Sequence, residues 1–487
     1  MRLNAIIQAV QPDEVVGFQD NLVRGVACHP SEATGDAVLF VCMDEYLEYN
    51  LWQTWRAHLE QLNSLNLAAV IAPKPIPGLQ VPQLVTQEPR KALGLAARML
   101  HGCPDQDLQV IGVTGTNGKT TTTRLLSHLL NELGVPCGSL GTLGVQLTGG
   151  AEYPGTYTTP LSPQMYAHLG QMKQRGAKAV ALEVSSHGLA LDRVEGLEFD
   201  AAILTNVERD HLDFHGTQEA YTEAKMRLFG KVKPSGLCVL NKDSFHCTAF
   251  AAVCSGKVIT YGKHASGADF ELLESRFLPT GSEFKIREKE GTFDLLTQLV
   301  GHFQVENILA AVSLLRSMGH SPRSLCQALS TFPPVCGRME QIHLSNGATA
   351  IVDYAHNPDG LKNLLLASRG ICKGRLHLVV GCGGDRDKGK RSIMGRLAAE
   401  MADICTITSD NPRTEDPLEI IQDVMYGMPA GMCSYCVEAD RAKAIRQAYA
   451  ATRKGDVLVI AGKGHEDYQI IGMEKHHFSD QEILRDL

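Results

Sequence analysis

No apolar run in the sequence approaches the about 18 residues that span a bilayer, so no membrane insertion is expected. Tryptophan is nearly missing, at 2 in 487 residues, and aromatic residues make up only 6%. Positive charge is in deficit: 46 Lys and Arg against 54 Asp and Glu leave a net charge of −8, with no block of like sign. A protein that grips nucleic acid shows a basic patch or stripe, so no nucleic-acid partner is expected. Internal repeats and low-complexity segments are also missing. Met1 to Phe18 has a short apolar stretch but no basic flank, long apolar core or small-residue cleavage site, so it does not read as a signal peptide. A cytoplasmic location is the expectation.

Cysteine, by contrast, is plentiful at 14, scattered from Cys28 to Cys436. In a long chain without a leader these read as reduced thiols, behaving as small buried hydrophobes. Cys433 and Cys436 form a CxxC with no second pair to complete a zinc site. Near the C-terminus, His476 and His477 read as a solvated turn rather than as ligands. Trp52 and Trp55, at near-helical spacing, read as core.

Apolar residues make up 44% and charged residues 21%, which is ordinary globular usage. At about 150 residues per domain, the length suggests about three domains. Residues 1–108 hold short apolar runs from Ala37 and Leu67, a helical stretch from Leu51 to Leu62, and a proline-rich piece from Ala68 to Leu84. This reads as a small α/β domain. From Asp107 the pattern changes, with strand-like runs at 108–113, 179–184, 201–206, 236–241 and 257–262 and helical stretches between several of them. That alternation predicts βαβ units and a largely parallel sheet over 109–337. Residues 338–487 repeat it, with strand candidates at 349–355, 376–382, 404–409 and 456–464, which reads as a Rossmann-like α/β unit.

The strongest local signal is Gly115-Thr116-Asn117-Gly118-Lys119-Thr120-Thr121, set between a β-branched run and a helical pattern from Thr120 to Leu133. Glycines let backbone N–H groups close around phosphate oxygens, and the following helix N-terminus adds a favourable dipole. Lys119 suits the β- and γ-phosphates and the Thr120 hydroxyl suits Mg²⁺. Val113 stands where the full Walker pattern has glycine, so the match is the shortened GxxGKT. The reading is an ATP or GTP site, with kinases, GTPases, motors and ligases all open. Glu183 follows the run AVAL, where a metal–nucleotide needs an anionic ligand. The loop Asn206–Asp213 follows the next strand and puts His211 and two aspartates at the same rim.

GTNGKTT, EVSSHGLALDRV, ERDHLDFHG with YTEAK, CGRME, VDYAHNPDGL, GCGGDRDKGKR, DNPRTEDP and AGKGHEDYQ follow one another in this order. The set resembles the Mur ligases, densely over 109–487 and weakly over the first hundred residues. The resemblance implies three domains: one for the UDP-linked carrier (1–108), one for ATP (109–337) and one for an amino acid (338–487). It implies a monomeric amide ligase that phosphorylates a carboxylate with ATP and lets an amine attack the acyl phosphate, in peptidoglycan precursor synthesis. Its implied partners are small molecules, ATP among them. By resemblance Glu183, His211 and Thr120 hold Mg²⁺, and Lys225 in YTEAK, otherwise an ordinary exposed helix lysine, carries a carbamate serving a second Mg²⁺. Thr158, Thr159, Ser185 and Arg193 match positions that hold the muramoyl-peptide, and His356 matches a contact on that side. Asn307, Arg338 and Asp353 match residues reaching ATP, while Gln304 and Leu191 depart from the family's usual residues.

DNPR (Asp410, Asn411, Pro412, Arg413) resembles the meso-diaminopimelate-adding type. Diaminopimelate has a second carboxylate that a guanidinium can pair with bidentately, whereas lysine has an ammonium that Arg413 would repel. Arg386, Gly462 and Glu466 complete that matching set, and Glu466 suits the distal ammonium. The carrier implied is UDP-N-acetylmuramoyl-L-alanyl-D-glutamate. In the first domain the family's DSR-like triplet is replaced by Cys28-His29-Pro30-Ser31 and the later DG is missing, so no uridine contacts are assigned. A different carrier, L-lysine as amine, a non-catalytic nucleotide-binding module, and a folylpolyglutamate synthetase are the competing readings.

Overall fold

The computed structural model describes residues 1–28, 32–33, 37–41, 63–155, 157–264, 267–278, 281–299 and 301–487. Trp52, Trp55, the stretch from Leu51 to Leu62, and His29 to Ser31 lie outside the described residues. Among the described residues the fold is α/β with three main sheets, each with its own core.

The first sheet runs in the order Glu14–Val16, Gln83–Val85, Leu67–Ala72, Val38–Val41, Gly25–Ala27. Leu67–Ala72 is buried at every position, which is why the run LAAVIA is continuously apolar rather than alternating. The helices Leu3–Val10 and Pro89–Leu100 contribute Leu3, Ile6, Ala92, Leu93 and Ala96 to its core.

The central sheet has 11 strands among the described residues. Its parallel part places Gln109–Thr114 between Phe199–Leu204 on one side and Ala179–Glu183 on the other. The chain therefore departs in both directions from this strand, and the carboxyl ends of the three strands open a crevice. Alternate residues feed two cores: Ile111 and Val113 pack with Leu125, Leu129 and Ile308, and Val110 packs with Tyr166, Leu182 and Phe229. One departure from the parallel expectation is the pair of hairpins formed by Phe270–Leu278, Gly281–Glu288 and Gly291–Thr297, antiparallel among themselves although the first joins the sheet parallel. Its strands alternate polar and apolar residues because one face stays wet, a pattern that carries no information about which sheet it joins.

The third sheet runs Glu340–His343, Thr349–Asp353, Val457–Ala461, Leu376–Val380, Ile404–Ile407, Ser434–Val437, parallel except for the first strand. The last strand in sequence to join, Val457–Ala461, is inserted beside the second, so the segments after Asp353, Val380, Ile407 and Ala461 share one edge. Arg441, wholly buried, clamps that edge. It pairs with the equally buried Asp480 through Nε–Oδ1 at 2.8 Å and Nη2–Oδ2 at 2.7 Å, and donates to the carbonyls of Ser409 and Ala461. Removing one partner strands a buried charge. Asp480→Ala is expected to destabilise this domain by about 3–5 kcal/mol, read as an earlier urea midpoint in its unfolding transition.

His476 and His477 lie in an exposed strand, Glu474–His477, paired with Tyr468–Ile471, and not in a turn. The hairpin sequence is too polar for the apolar-run criterion. Cys433 Sγ lies 3.7 Å from Cys405 Sγ, and Cys436 Sγ lies 3.3 Å from Thr406 Oγ1. No described helix is long and apolar enough to cross a membrane.

Candidate active site

The strand Gln109–Thr114 runs into the loop 115–118, and the helix Lys119–Glu132 begins at once. Gly118 has φ +85°, and a Cβ there would come within 2.2 Å of Asn307 Oδ1, so this corner admits only glycine. Lys119 Nζ donates to the carbonyls of Gly115 and Thr116, both at 2.8 Å. Burial pulls its pKa below the ordinary lysine value, opposed by Glu183 and Asp210. Asn117 is held by Asn206 Oδ1, which accepts from its N–H at 2.8 Å, and by Thr205 Oγ1, which donates to its carbonyl at 2.6 Å.

Glu183, at the end of the neighbouring strand, is the polar centre. Its carboxylate accepts from Thr120 Oγ1 at 3.1 Å and Thr142 N at 2.9 Å, and the Thr142 hydroxyl lies 3.0 Å from Oε2. His211 follows the next strand with φ +54°, half-buried, its ring 4.7 Å from that of His187. Burial lowers the pKa of His211 well below the usual histidine value and takes His187 down to about 3, so both rings are neutral at neutral pH. Among the described residues no three His, Cys, Asp or Glu side chains form a metal cage. The donor set instead suits Mg²⁺, which takes one or two carboxylates and completes its shell with phosphate oxygens and water.

Lys225 is 1% exposed, contrary to the solvent-facing position that helix periodicity alone suggests. Its Nζ donates to the Gly115 carbonyl at 2.9 Å and sits 4.3 Å from the centre of the Tyr221 ring. Burial, with Lys119 nearby, holds its pKa well below the ordinary lysine value.

The third domain reaches into this loop. Arg338 Nη2 donates to Thr120 Oγ1 at 2.9 Å, and its guanidinium stacks 4.6 Å from the centre of the Tyr354 ring. Asp353 does not point to the loop directly: it accepts from the N–H groups of Met339 (2.7 Å) and Ala355 (2.8 Å) and so fixes the backbone around Arg338. Asn357 caps the helix Pro358–Ile371 with Oδ1 on Gly360 N, and its Nδ2 donates to Asp210 Oδ2 at 3.0 Å and to Asn117 Oδ1 at 3.2 Å. Asn117 Nδ2 in turn donates to Asp359 at 2.9 Å. His356 Nε2 lies 3.6 Å from Asp210. Gln304 accepts from Asn307 Nδ2 at 3.0 Å and so orients the Asn307 amide.

On the opposite wall Thr159 Oγ1 donates to the Glu183 carbonyl and lies 3.1 Å from Ser185 Oγ, which caps a short helix at Gly188 N. Arg193 Nη1 donates to the Thr159 carbonyl, and its guanidinium lies 4.6 Å from the centre of the Tyr157 ring. Thr158 is 3.1 Å from the Thr142 hydroxyl. Leu191 is buried at the end of that short helix.

The remaining group gathers at the edge of the third sheet. Arg413 adopts φ +52°, its backbone held by Ile470 O and Gly472 N, and its Nη1 donates to Gly384 O at 2.7 Å. Arg386 is half-buried beside the same glycine turn, its stem near Gly383 and its Nη1 donating to Asp385 O at 3.2 Å. A Cβ on Gly462 would come 2.4 Å from Asp410 Oδ2, and the close approach brings the two loops together. Asn411 Nδ2 donates to Glu466 Oε2 at 3.0 Å, and burial together with Asp410 raises the Glu466 pKa.

One cleft of about 1200 Å³ is lined by Lys119, Thr120, Glu183, His211, Ser185, Arg193, Asn307, Arg338, His356, Arg386, Arg413 and Glu466. The phosphate loop, the Glu183 rim and the two arginines, distant in sequence, thus share a single space. Gly115, Thr159, Lys225, Asp410, Asn411, Pro412 and Gly462 lie behind its wall. Residues 113–315 match the Mur ligase middle domain, and 337–464 match the Mur ligase glutamate ligase domain. The chain belongs to the Mur ligase family. Among its relatives, "UDP-N-acetylmuramoyl-L-alanyl-D-glutamate--2,6-diaminopimelate ligase" of Synechococcus elongatus is 44% identical over 80% of this chain and 79% of its own length. The protein of the same description from Parasynechococcus marenigrum is 40% identical over 99% of this chain and 97% of its own. A solved structure so described aligns with a TM-score of 0.68 at 32% identity, covering 99% of this chain and 98% of that one.

Within this Mur ligase, sequence reasoning put Asp210 at the rim without a role and missed Asn357, Asp359, Thr142 and Lys463. Asp210 and Asn357 sat inside quoted motifs, and their signal was burial of polar groups, which appears only once the domains meet. His465 also lines the cleft, and burial and Arg338 lower its pKa to about 4. An unfolded histidine titrates near 6.5, so between pH 6.5 and 4 the unfolded chain binds the proton and the fold does not. Its contribution to stability is full above pH 6.5 and is lost as pH falls toward 4. His465→Gln is expected to flatten the slope of Tm against pH across that window.

Proposed function

We propose that this Mur ligase joins meso-diaminopimelate to UDP-N-acetylmuramoyl-L-alanyl-D-glutamate with ATP, in the assembly of a peptidoglycan precursor. The observation that carries the reading is the single cleft in which a phosphate loop faces Arg386, Arg413 and Glu466. Residues 1–108 are assigned to the nucleotide-linked carrier, 109–337 to ATP and 338–487 to the amine. The competing switch reading needs no amine pocket, and Arg386, Arg413 and Glu466 lining the cleft count against it.

The carboxylate oxygen of the carrier attacks the γ-phosphorus of ATP, releasing ADP and forming an acyl phosphate. The amine attacks the acyl carbon, the tetrahedral intermediate collapses, phosphate leaves with the bonding pair, and the ammonium proton is lost. Phosphoryl transfer of this kind is mostly positioning and electrostatics. Lys119 places a cation at the phosphates, and Arg338, already on Thr120, adds a second from the other domain. Mg²⁺, held by Thr120, Glu183 and His211, would neutralise charge on the phosphates when bound. Ser185, Thr158 and Arg193 are placed to orient the carrier's peptide end, with His356 opposite. The Asn117–Asn357–Asp210 network holds the two domains shut over the loop, which keeps water from the acyl phosphate.

A carbamate on Lys225 is part of the same proposal. The amine is buried and biased toward its neutral form, the form that adds CO₂. The carbamate would leave Gly115 O and present two oxygens in place of a cation. Bicarbonate labelled with ¹³C should give a protein-bound carbamate signal that Lys225→Arg abolishes.

The test of the whole is phosphate release from Mg-ATP and the UDP-muramoyl-dipeptide with meso-diaminopimelate or L-lysine in parallel. Turnover with diaminopimelate alone supports carrier, amine and reaction together. Turnover with lysine overturns the amine assignment, and silence with every amine alongside ATP binding overturns the carrier.

A further inference from the structure

We propose that Lys463, a residue outside the cleft, is a positioning residue that sets the Glu466 carboxylate for the incoming amine. The inference rests on the amide-ligase reading above.

Lys463 is wholly buried, in the segment that follows the strand Val457–Ala461. An ammonium taken out of water is costly unless every N–H finds an acceptor. Here Nζ donates to Tyr468 O at 2.7 Å and Asn411 Oδ1 at 2.9 Å, with Glu466 Oε2 at 3.4 Å; Asp410 Oδ1 lies 3.9 Å away. The acceptors come from three segments, namely the DNPR loop, the turn carrying Glu466, and the start of the hairpin Tyr468–Ile471. One side chain thus ties together the pieces that carry Arg413 and Glu466.

The bond to Asn411 has a directional consequence. Its Oδ1 accepts from both Lys463 Nζ and Ile470 N, at 3.0 Å for the latter, so its Nδ2 must face the other way. That Nδ2 donates to Glu466 Oε2. Lys463 therefore acts on Glu466 twice, directly and through the Asn411 amide, each time at Oε2. Among the described residues Oε1 accepts no hydrogen bond from the protein, which leaves it for a ligand ammonium at the cleft wall.

Charge points the same way. Asp410 and Glu466 bring two carboxylates together, and Lys463 offsets one, leaving a single net negative charge for one ammonium. Without Lys463 the pair repels itself, and Glu466 takes up a proton or turns away.

The experiment compares wild type with Lys463→Met, which keeps the length and removes the charge. The KM for diaminopimelate is expected to rise about 10- to 100-fold, with the KM for ATP and for the UDP-muramoyl-dipeptide little changed and the ATP-induced rise in Tm retained. In a double-mutant cycle, Glu466→Gln should cost much less in the Lys463→Met background than in wild type. Should Lys463→Met be insoluble, Lys463→Arg, which keeps the charge and displaces it, is read the same way. An unchanged amine KM, equal losses toward all three substrates, or additive effects of Lys463→Met and Glu466→Gln overturn the proposal. If wild type turns over only with another amine, the amine assignment fails, and the KM split on that amine still decides the role of Lys463.

Discussion

Lys119→Met is expected to lower kcat by about 10²–10³-fold while the protein stays folded. The reason lies in where the ammonium sits. In the present structure it is bonded to its own loop, to the carbonyls of Gly115 and Thr116, so the cation is held at the phosphate cradle before any phosphate arrives. A preorganised charge in a partly dry site needs no reorganisation as the transferred phosphoryl group develops charge. Methionine preserves the stem and its packing, takes the donor from the Thr116 carbonyl and leaves the Gly115 carbonyl with Lys225 alone. Phosphate release at saturating ATP and carrier measures the effect, and circular dichroism checks the fold. If kcat were unchanged and only the KM for ATP rose, Lys119 would bind ground and transition states equally and the electrostatic role would fall.

Arg413→Ala is expected to raise the KM for meso-diaminopimelate about 10²–10³-fold. A bidentate, charge-assisted pair lost at roughly 3–4 kcal/mol corresponds to that factor. ATP binding should be untouched, since Arg413 lies on the edge of the third sheet, away from the phosphate loop. The backbone is held from both sides by Ile470 O and Gly472 N. Alanine at φ +52° inherits the same left-handed conformation, so the variant tests the guanidinium and not the turn. Discrimination against L-lysine should narrow as well, because the variant removes the cation that repels its distal ammonium. Full substrate titrations with both amines read out the two effects. Unchanged selectivity would move the distal-carboxylate contact to Arg386, the other arginine at this end of the cleft.

Both variants alter residues whose chemistry was legible in the chain. GTNGKTT lies between an apolar run and a helix, and DNPR follows another strand. Such strand–loop–helix units are local, and their glycines, β-branched runs and helix starts are written within a few residues. The strands Ala179–Glu183 and Val457–Ala461, buried throughout, and Gln109–Thr114, buried after its first residue, were legible for the same reason, since an interior parallel strand has no wet face to interrupt the apolar run. The hairpins Phe270–Thr297 and Tyr468–His477 were not, because a half-solvated strand mixes polar and apolar residues much as a loop does.

By itself the sequence determined the α/β character, the phosphate loop, the motif order that marks a Mur ligase, and the absence of a long apolar segment. Tertiary structure alone decided which of these act together. Arg338 meets Thr120 across 218 residues, and Asn117 meets Asp359 across 242. It also decided that Lys225 and Lys463 are buried rather than solvated. A lysine looks the same in a sequence whether its ammonium faces water or a carbonyl. Its pKa, its partners and its role depend on dielectric and on distances of about 3 Å, and folding sets those by bringing distant segments into contact.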